Sequence, residues 1–519
     1  MSQYIYGAAV QGIQGFIFQT NELKDIIGAS KLVDDVCTSL FYDELCKVKN
    51  QEPAKNKKEA LHQDKNSIIA AAGNIKYVFS NPDECKKVVK QFPKIVTEFA
   101  PGITISQAVV EMKEGEDFAD VIMLLEEKLR AQRNKPMRSA TLGLMGIKNS
   151  RNTGLPLVEY DKKEKDYLDA GTKAKRENSD ETRNELCIAA FGASVKDRNF
   201  PFDMSHLEGA NKWIAVVHID GNGLGQVVQK IGKDQDSFRK FSIRLDKATK
   251  EAAQESFSLL DMEYNLMDRP RIPFRPIVIA GDDFTFVCQG DLAMEYVEKF
   301  LEAFEKKSIE HLGTIIKSNK VFGNKDHLTA CAGIAFIKSN YPFYYGYNLA
   351  EELCSAAKKV AKRDDMKDKG LPKSCLMFHK VQDSFVNDYS DITKRELTPT
   401  QGTSFKFGPY FRESTQGYWA IGDLMKQAND LSDEKNNAAK NVIRQWCNQL
   451  HDSSEYAKQQ LDNSLRLMKG EQKKIVETIC KEDHFRQEQI EGKTIKATPA
   501  YDILTLISIG HFIKKNQKK

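Results

Sequence analysis

No Cys-x-x-Cys occurs among the ten scattered cysteines of this 519-residue chain, which excludes a zinc knuckle and a thioredoxin-like redox site. No structural zinc is expected, and the thiols read as those of a reduced, cytoplasmic protein. Nor is one sign of charge in surplus: 77 basic against 73 acidic residues leave a net +4, so whole-chain electrostatics give no argument for nucleic acid. The basic stretches at 47–65 and 514–519 read as solvated loop and tail. No basic segment precedes the apolar N-terminus, and the longest uncharged run near the other end, 503–513, falls short of the ~20 residues a membrane helix needs. Neither secretion nor a membrane partner is expected, and the length leaves room for several domains with a sizeable core.

What is present centres on Ile277-Val278-Ile279-Ala280-Gly281-Asp282-Asp283-Phe284-Thr285-Phe286-Val287, where apolar, β-branched runs flank Gly281-Asp282. Glycine accepts the positive φ of a two-residue hairpin turn, so two carboxylates are expected at a hairpin tip. Upstream, the apolar run Trp213-Ile214-Ala215-Val216-Val217-His218-Ile219 ends in Asp220 and then Gly221-Asn222-Gly223-Leu224-Gly225, which opens a helix. Set beside the hairpin, that strand brings Asp220 to Asp282 and Asp283. Carboxylates so placed repel unless a cation lies between them. Hard oxygen ligands with no companion Cys or His motif point to Mg²⁺ or Mn²⁺. The expected metal ligands are Asp220, the Ile219 carbonyl, Asp282 and Asp283, and the three acids are the expected catalytic set. Two such ions suit nucleotidyl transfer, one activating a hydroxyl and the other steadying pyrophosphate. Gly221, Asn222, Gly223, Gly225 and Gly281 are expected to bind nucleotide, because glycines let the backbone approach a ligand and a helix N-terminus offers N–H groups to phosphates.

Asp220-Gly221-Asn222-x-Leu224-Gly225 with Ala280-Gly281-Asp282-Asp283 resembles the second palm domain of the large subunit of type III CRISPR effector complexes. That palm is related to GGDEF-type nucleotide cyclases and carries Gly-Gly-Asp-Asp; here Ala280 replaces the first glycine. The resemblance implies a nucleotidyltransferase that turns ATP into a cyclic oligoadenylate for antiviral signalling, with RNA and effector subunits as partners. The residues alone leave open a cyclase that uses GTP or makes a dinucleotide, and a non-enzymatic RNA-binding scaffold.

An internal repeat supports a second palm. Val10-Gln11-Gly12 matches Ile219-Asp220-Gly221, and Ala72-Gly73-Asn74 matches Ala280-Gly281-Asp282, at spacings of 63 and 62 residues. After each hairpin come a helical pattern (82–99; 292–307), a strand (104–112; 328–338) and a further helix (118–133; 348–363), the order of a ferredoxin-like palm. Amides at Gln11 and Asn74 cannot match carboxylates as Mg²⁺ ligands, so the first palm is expected to be silent and to complete a pocket between the palms. Residues 4–34 also look like the first palm of the same family, in which an HD nuclease domain often comes before; a form lacking it is expected. His451-Asp452, in a helical pattern without companion histidines, reads as surface chemistry.

In the connector, Gly154-Leu155-Pro156 resembles the end of the family's zinc knuckle without its thiolates, and 161–176 reads as an exposed helix or disordered loop. Lys358 and Lys362 share a helix face where GGDEF-type cyclases place phosphate-binding basic residues, although Ala361 stands where those have glycine. From about residue 400 helical periodicity prevails. The expected fold class is α+β: a first palm (1–135), a connector (136–204), a second, catalytic palm (205–399) and a C-terminal helical bundle (400–519).

Overall fold

The computed structural model describes residues 3–71, 73–135, 145–162, 165–179, 184–209, 211–231, 235–368, 370–383, 388–399, 402–481, 485–490 and 493–510. Ala72 of the first hairpin, the start of the connector and the basic tail lie outside them. No helix among the described residues is long and apolar enough to cross a membrane.

The first palm runs β1 (Gln3–Gln11), α1 (Ile13–Ile17), α2 (Leu23–Asp35), α3 (Phe41–Lys49), α4 (Lys57–Gln63), β2 (Ser67–Ala71), β3 (Asn74–Phe79), α5 (Pro82–Phe99), β4 (Thr104–Met112) and α6 (Phe118–Arg133). Its sheet has the order β2-β3-β1-β4 with antiparallel neighbours, the ferredoxin-like arrangement. The later helices begin where local chemistry dictates: Asn81 caps α5 by accepting from Asp83 N–H, with Pro82 in the first turn, and Asp117 caps α6. Phe118, Val121, Leu125 and Leu129 recur at helical spacing and bury one face of α6 against Ile5, Val78 and Val110 of the sheet.

The connector is more ordered than its mixed charges suggest. Residues 161–176, expected to be an exposed helix or disordered loop, span the end of β5 (Leu157–Asp161), β6 (Asp166–Asp169) and most of α7 (Ala170–Glu177), with α8 (Glu185–Phe191) following. The charges are satisfied inside: the buried Lys175 ammonium donates to the Phe16 carbonyl at 2.7 Å and to Gln19 at 3.1 Å, and Arg176 pairs with buried Asp25 at 3.0 Å. A Cβ on Gly28 would lie 1.8 Å from the Lys175 carbonyl oxygen, so α2 and α7 meet backbone to backbone.

The second palm repeats the plan with β7 (Trp213–Gly221), α9 (Leu224–Ile231), α10 (Gln235–Tyr264), β8 (Phe274–Ala280), β9 (Asp283–Gln289), α11 (Ala293–Ser318), β10 (Ala330–Lys338) and α12 (Phe343–Ala361). Its strands lie β8-β9-β7-β10, the same order as in the first palm. The sheet then continues through β11 (Cys375–Lys380), parallel to β10, and, beyond α13 (Tyr389–Arg395) and β12 (Thr403–Ser404), to β13 (Tyr410–Phe411). The expected break at 399 therefore falls inside the fold, because Leu376 and Cys375 pair with Tyr410 and Phe411 across it. The C-terminal region holds α14 (Ile421–Ser432), α15 (Asn437–Leu450), α16 (Ser454–Leu467), α17 (Gly470–Cys480), β14 (Arg486–Ile490), β15 (Lys493–Ala497) and α18 (Ala500–Ile509). It is not purely helical: β12, β15 and β14 make a small sheet that the charged, polar sequence of its strands concealed.

Candidate active site

Strand alternation builds the site. The register of β7 against β9 pairs His218 with Thr285 and Ile219 with Phe284. Ile219 and Phe284 are fully buried, Phe284 packing on Tyr296 and Phe300 of α11. His218 and Asp220 share the opposite face with Thr285 and Asp283. The turn between Ala280 and Asp283 holds only Gly281, at φ +63°, and Asp282. Gly221 lets this tip come close, since a Cβ there would lie 2.9 Å from the Asp282 Cβ and 3.0 Å from its Oδ2. Behind the tip stands α10, which buries Leu245, Ala248, Ala252 and Phe257 in the core. Thr249 Oγ1 donates to the Gly281 carbonyl at 2.6 Å, and Gly281 N–H donates to Asp246 at 3.3 Å.

The three acids thus come together. Burial, followed by the charges of Asp283 and Asp220, holds the Asp282 carboxyl well above the usual carboxylate range. Burial and the Asp220 charge push Asp283 up to about 7. Lys358 of α12 pairs with Asp220 and donates to the Gly221 carbonyl at 2.7 Å. Burial draws that ammonium's pKa down, but the Asp220 charge outweighs it and holds it above the ordinary lysine value. Oxygens of Asp220 and Gly221 therefore converge on one cation already. A ring nitrogen of His218 and carboxylate oxygens of Asp220 and Asp283 lie within 4.8 Å of one another, a second donor set around the shared Asp220. This donor set fits a divalent cation.

Several expected roles change. Ile219 lies inside the ladder between Phe284 and Ala332, where carbonyls are committed to neighbouring strands, and the carbonyl that faces the cationic group is that of Gly221. Asn222 is fully buried, its amide donating to Thr329 Oγ1 at 3.1 Å and to Cys331 Sγ at 3.3 Å; it ties the loop to β10 rather than facing a ligand. Gly223, at φ +78°, packs under the Phe322 ring, which would be 2.6 Å from a Cβ. Gly225 stands in α9 with open space around it. Lys362 is exposed at the C-cap of α12, one turn beyond Lys358.

Beside Asp283 opens a cavity of about 210 Å³ walled by both palms, with Gln14, Ile17, Phe18 and Val33 from the first and His218, Val278 and Tyr347 from the second. Gln14 donates to Glu351 at 3.0 Å and to Tyr347 at 3.3 Å, the Phe18 and Tyr347 rings lie 4.1 Å apart, and the Ser30 hydroxyl donates to the Ile277 carbonyl. The first-palm members lie within residues 4–34, the stretch that resembles the family's first palm, but no motif marked their partners Val278, Tyr347 and Glu351.

At the matching place in the first palm there is no acid. Gln11 folds back to donate to the Ala9 carbonyl at 3.2 Å, and Ile13 fills the turn, 2.3 Å from where a Gly73 Cβ would stand. The hairpins close with Ala71↔Asn74 and Ala280↔Asp283, so Asn74 corresponds to Asp283, one residue later than the sequence match set it.

The second palm domain of the Cas10/Cmr2 family matches residues 213–367. Among solved structures, a Csm1-Csm4 cassette in complex with pppApApA has a TM-score of 0.56 at 13% identity, covering 98% of this chain and 69% of its own. The cassette in complex with AMPPNP gives 0.43 at 14% identity, covering 69% of this chain and 53% of its own. The Csm1-Csm4 subcomplex of a type III-A CRISPR-Csm interference complex gives 0.45 at 14%, covering 70% and 54%. The chain thus spans about half the length of the AMPPNP-bound cassette chain and of the interference-complex subunit. No curated protein sequence matches significantly. Residues 213–367 of this chain are thus similar to the second palm domain of the Cas10/Cmr2 family.

Proposed function

We propose that this protein is a metal-dependent nucleotidyltransferase that joins ATP into cyclic oligoadenylate, releasing pyrophosphate, as a cytoplasmic antiviral signal. The observation that carries the reading is the convergence of Asp220, Asp282 and Asp283 with the Lys358 ammonium, Asp283 itself lining a cavity shared by the two palms. A pair of half-buried acids with raised pKa values beside a cleft is the signature of a site poised for chemistry. Divalent ions bound there would lower the pKa of an attacking ribose hydroxyl and neutralise the triphosphate. The chain's own residues do the rest. Asp220, the Gly221 carbonyl, Asp282 and Asp283 would hold the ions, and Lys358 would exchange Asp220 for phosphate oxygens as nucleotide enters. The apolar wall of Ile17, Phe18, Val33 and Val278 takes a base and keeps water from the reacting α-phosphorus. The ribose hydroxyl of one nucleotide then displaces pyrophosphate in line from the next.

Adenine as the base is taken from the related cassette that holds pppApApA. RNA and the other subunits of a type III effector complex are its proposed partners, on the same footing. The purified chain, incubated with mixed nucleoside triphosphates and Mg²⁺ or Mn²⁺, with and without RNA, should give adenylate rings by mass spectrometry. Asp282→Ala and Asp283→Ala should give none while remaining folded. Undiminished turnover in both variants would refute the site, and guanylate rings or dinucleotides would refute the substrate.

A further inference from the structure

We propose that His218 is itself a ligand of the cation held by Asp220 and Asp283, so that the site takes Mn²⁺ or a similar first-row divalent ion in preference to Mg²⁺. The inference rests on the metal-dependent reading above and adds the chemical class of the ion.

His218 lies two residues before Asp220 on β7, hence on the same face, and its strand partner Thr285 lies two residues after Asp283 on β9. The four side chains form a square with the acids on one side and the imidazole and hydroxyl on the other. A ring nitrogen is within 4.8 Å of carboxylate oxygens of both acids. The imidazole is 9% exposed, so it is enclosed with them rather than displayed to solvent. Nδ1 lies 3.0 Å from Thr285 Oγ1, and the Tyr347 ring stands edge-on at 5.9 Å. A hydroxyl on one ring nitrogen and a packed aromatic neighbour fix ring orientation in the way that partners of a metal-bound histidine do.

The alternative is a core histidine satisfied by Thr285. The internal repeat argues against it, since Ala9 stands two residues before Gln11 in the palm that has no acids. The imidazole is present where the carboxylates are present and absent where they are absent. Mg²⁺ prefers oxygen ligands and retains its waters, whereas a nitrogen donor raises affinity along the first-row series.

The test is Mn²⁺ binding to the full chain, followed by electron paramagnetic resonance, with Mg²⁺ measured by competition. Wild-type protein should show imidazole nitrogen modulation in the electron spin echo of bound Mn²⁺. His218→Gln should lose that signal and bind Mn²⁺ on the order of tenfold or more weakly, the loss expected when a histidine's part in a metal site is removed. Its Mg²⁺ affinity should change by less than about threefold, because the hard ion draws mainly on the oxygens. Absence of nitrogen modulation in the wild type, or equal losses of both ions in His218→Gln, would overturn the assignment. The wild-type echo decides even if the variant does not fold. Asp220→Asn should lose both ions; retention of both would instead overturn the carboxylate site on which the inference rests.

Discussion

Replacing Asp283 by Asn tests the electrostatic account of the site without relying on turnover. The Asp283 carboxyl is held at about 7 against an ordinary 3.8, chiefly by burial and then by the Asp220 charge. A carboxyl raised on folding contributes stability that is complete below pH ~4 and is lost as pH rises through about 7. Each tenfold change in proton affinity corresponds to about 1.4 kcal/mol. The ionised side chain therefore costs the metal-free protein on the order of 4 kcal/mol at pH 8, and about 2.5 kcal/mol less at pH 5. Asn has the same shape and no charge. In EDTA at pH 8, Asp283→Asn should accordingly melt several degrees above wild type, since about 2–4 °C accompanies each kcal/mol in a folded body of palm size. The gap should narrow at pH 5. Saturating Mn²⁺ should reverse it, because the ion stabilises only the protein that binds it. Scanning fluorimetry across pH 5 to 8, with and without the ion, reads all four corners. A variant that melts below wild type in EDTA at pH 8, or a gap that ignores pH, would refute the repelling-carboxylate account.

Lys358→Gln should raise the Michaelis constant for ATP by about tenfold or more, as expected for one charge-assisted contact of roughly 1.5–3 kcal/mol, while Lys362→Gln at the exposed C-cap should shift it far less; equal effects in steady-state kinetics would contradict the geometry. Gly221→Ala must push the hairpin tip away from β7 and should abolish activity with the fold retained by circular dichroism; a fully active variant would show that the tip need not approach so closely. Asn74→Ala in the first palm should retain most of the turnover that Asp282→Ala or Asp283→Ala removes. Equal losses would mean that the chemistry had been assigned to the wrong palm.

Local rules made much of this legible. The first palm's later elements begin and end at 82–99, 104–112 and 118–133 as read, because Asn81 with Pro82, and Asp117, mark helix starts and strand alternation is undisturbed between them. The acidic turn was visible because only a glycine-containing pair fits between Ala280 and Asp283. What failed was the environment of single side chains. Asn222 in a glycine-rich loop looks like a ligand contact, and only the fold reveals Thr329 and Cys331 beneath it. Lys175 and Arg176 look solvated until α7 is laid on α2. Gln14 is 333 residues from Tyr347 and 337 from Glu351, and it meets them only when the palms dock. His218 was within reach of simple alternation, two residues from an acid, but its apolar neighbours made it look like core.

The meeting of Gly28 with the Lys175 carbonyl, and of Ser30 with the Ile277 carbonyl, bears on modularity. One helix of the first palm grips the connector at one residue and the edge strand of the second palm two residues later. Borders drawn along the chain are therefore not lines along which the molecule can be cut or exchanged. A graft of the acidic palm from a relative would have to bring a matching α2 and α7 with it, and the palm without the acids constrains which sequences the other palm can explore.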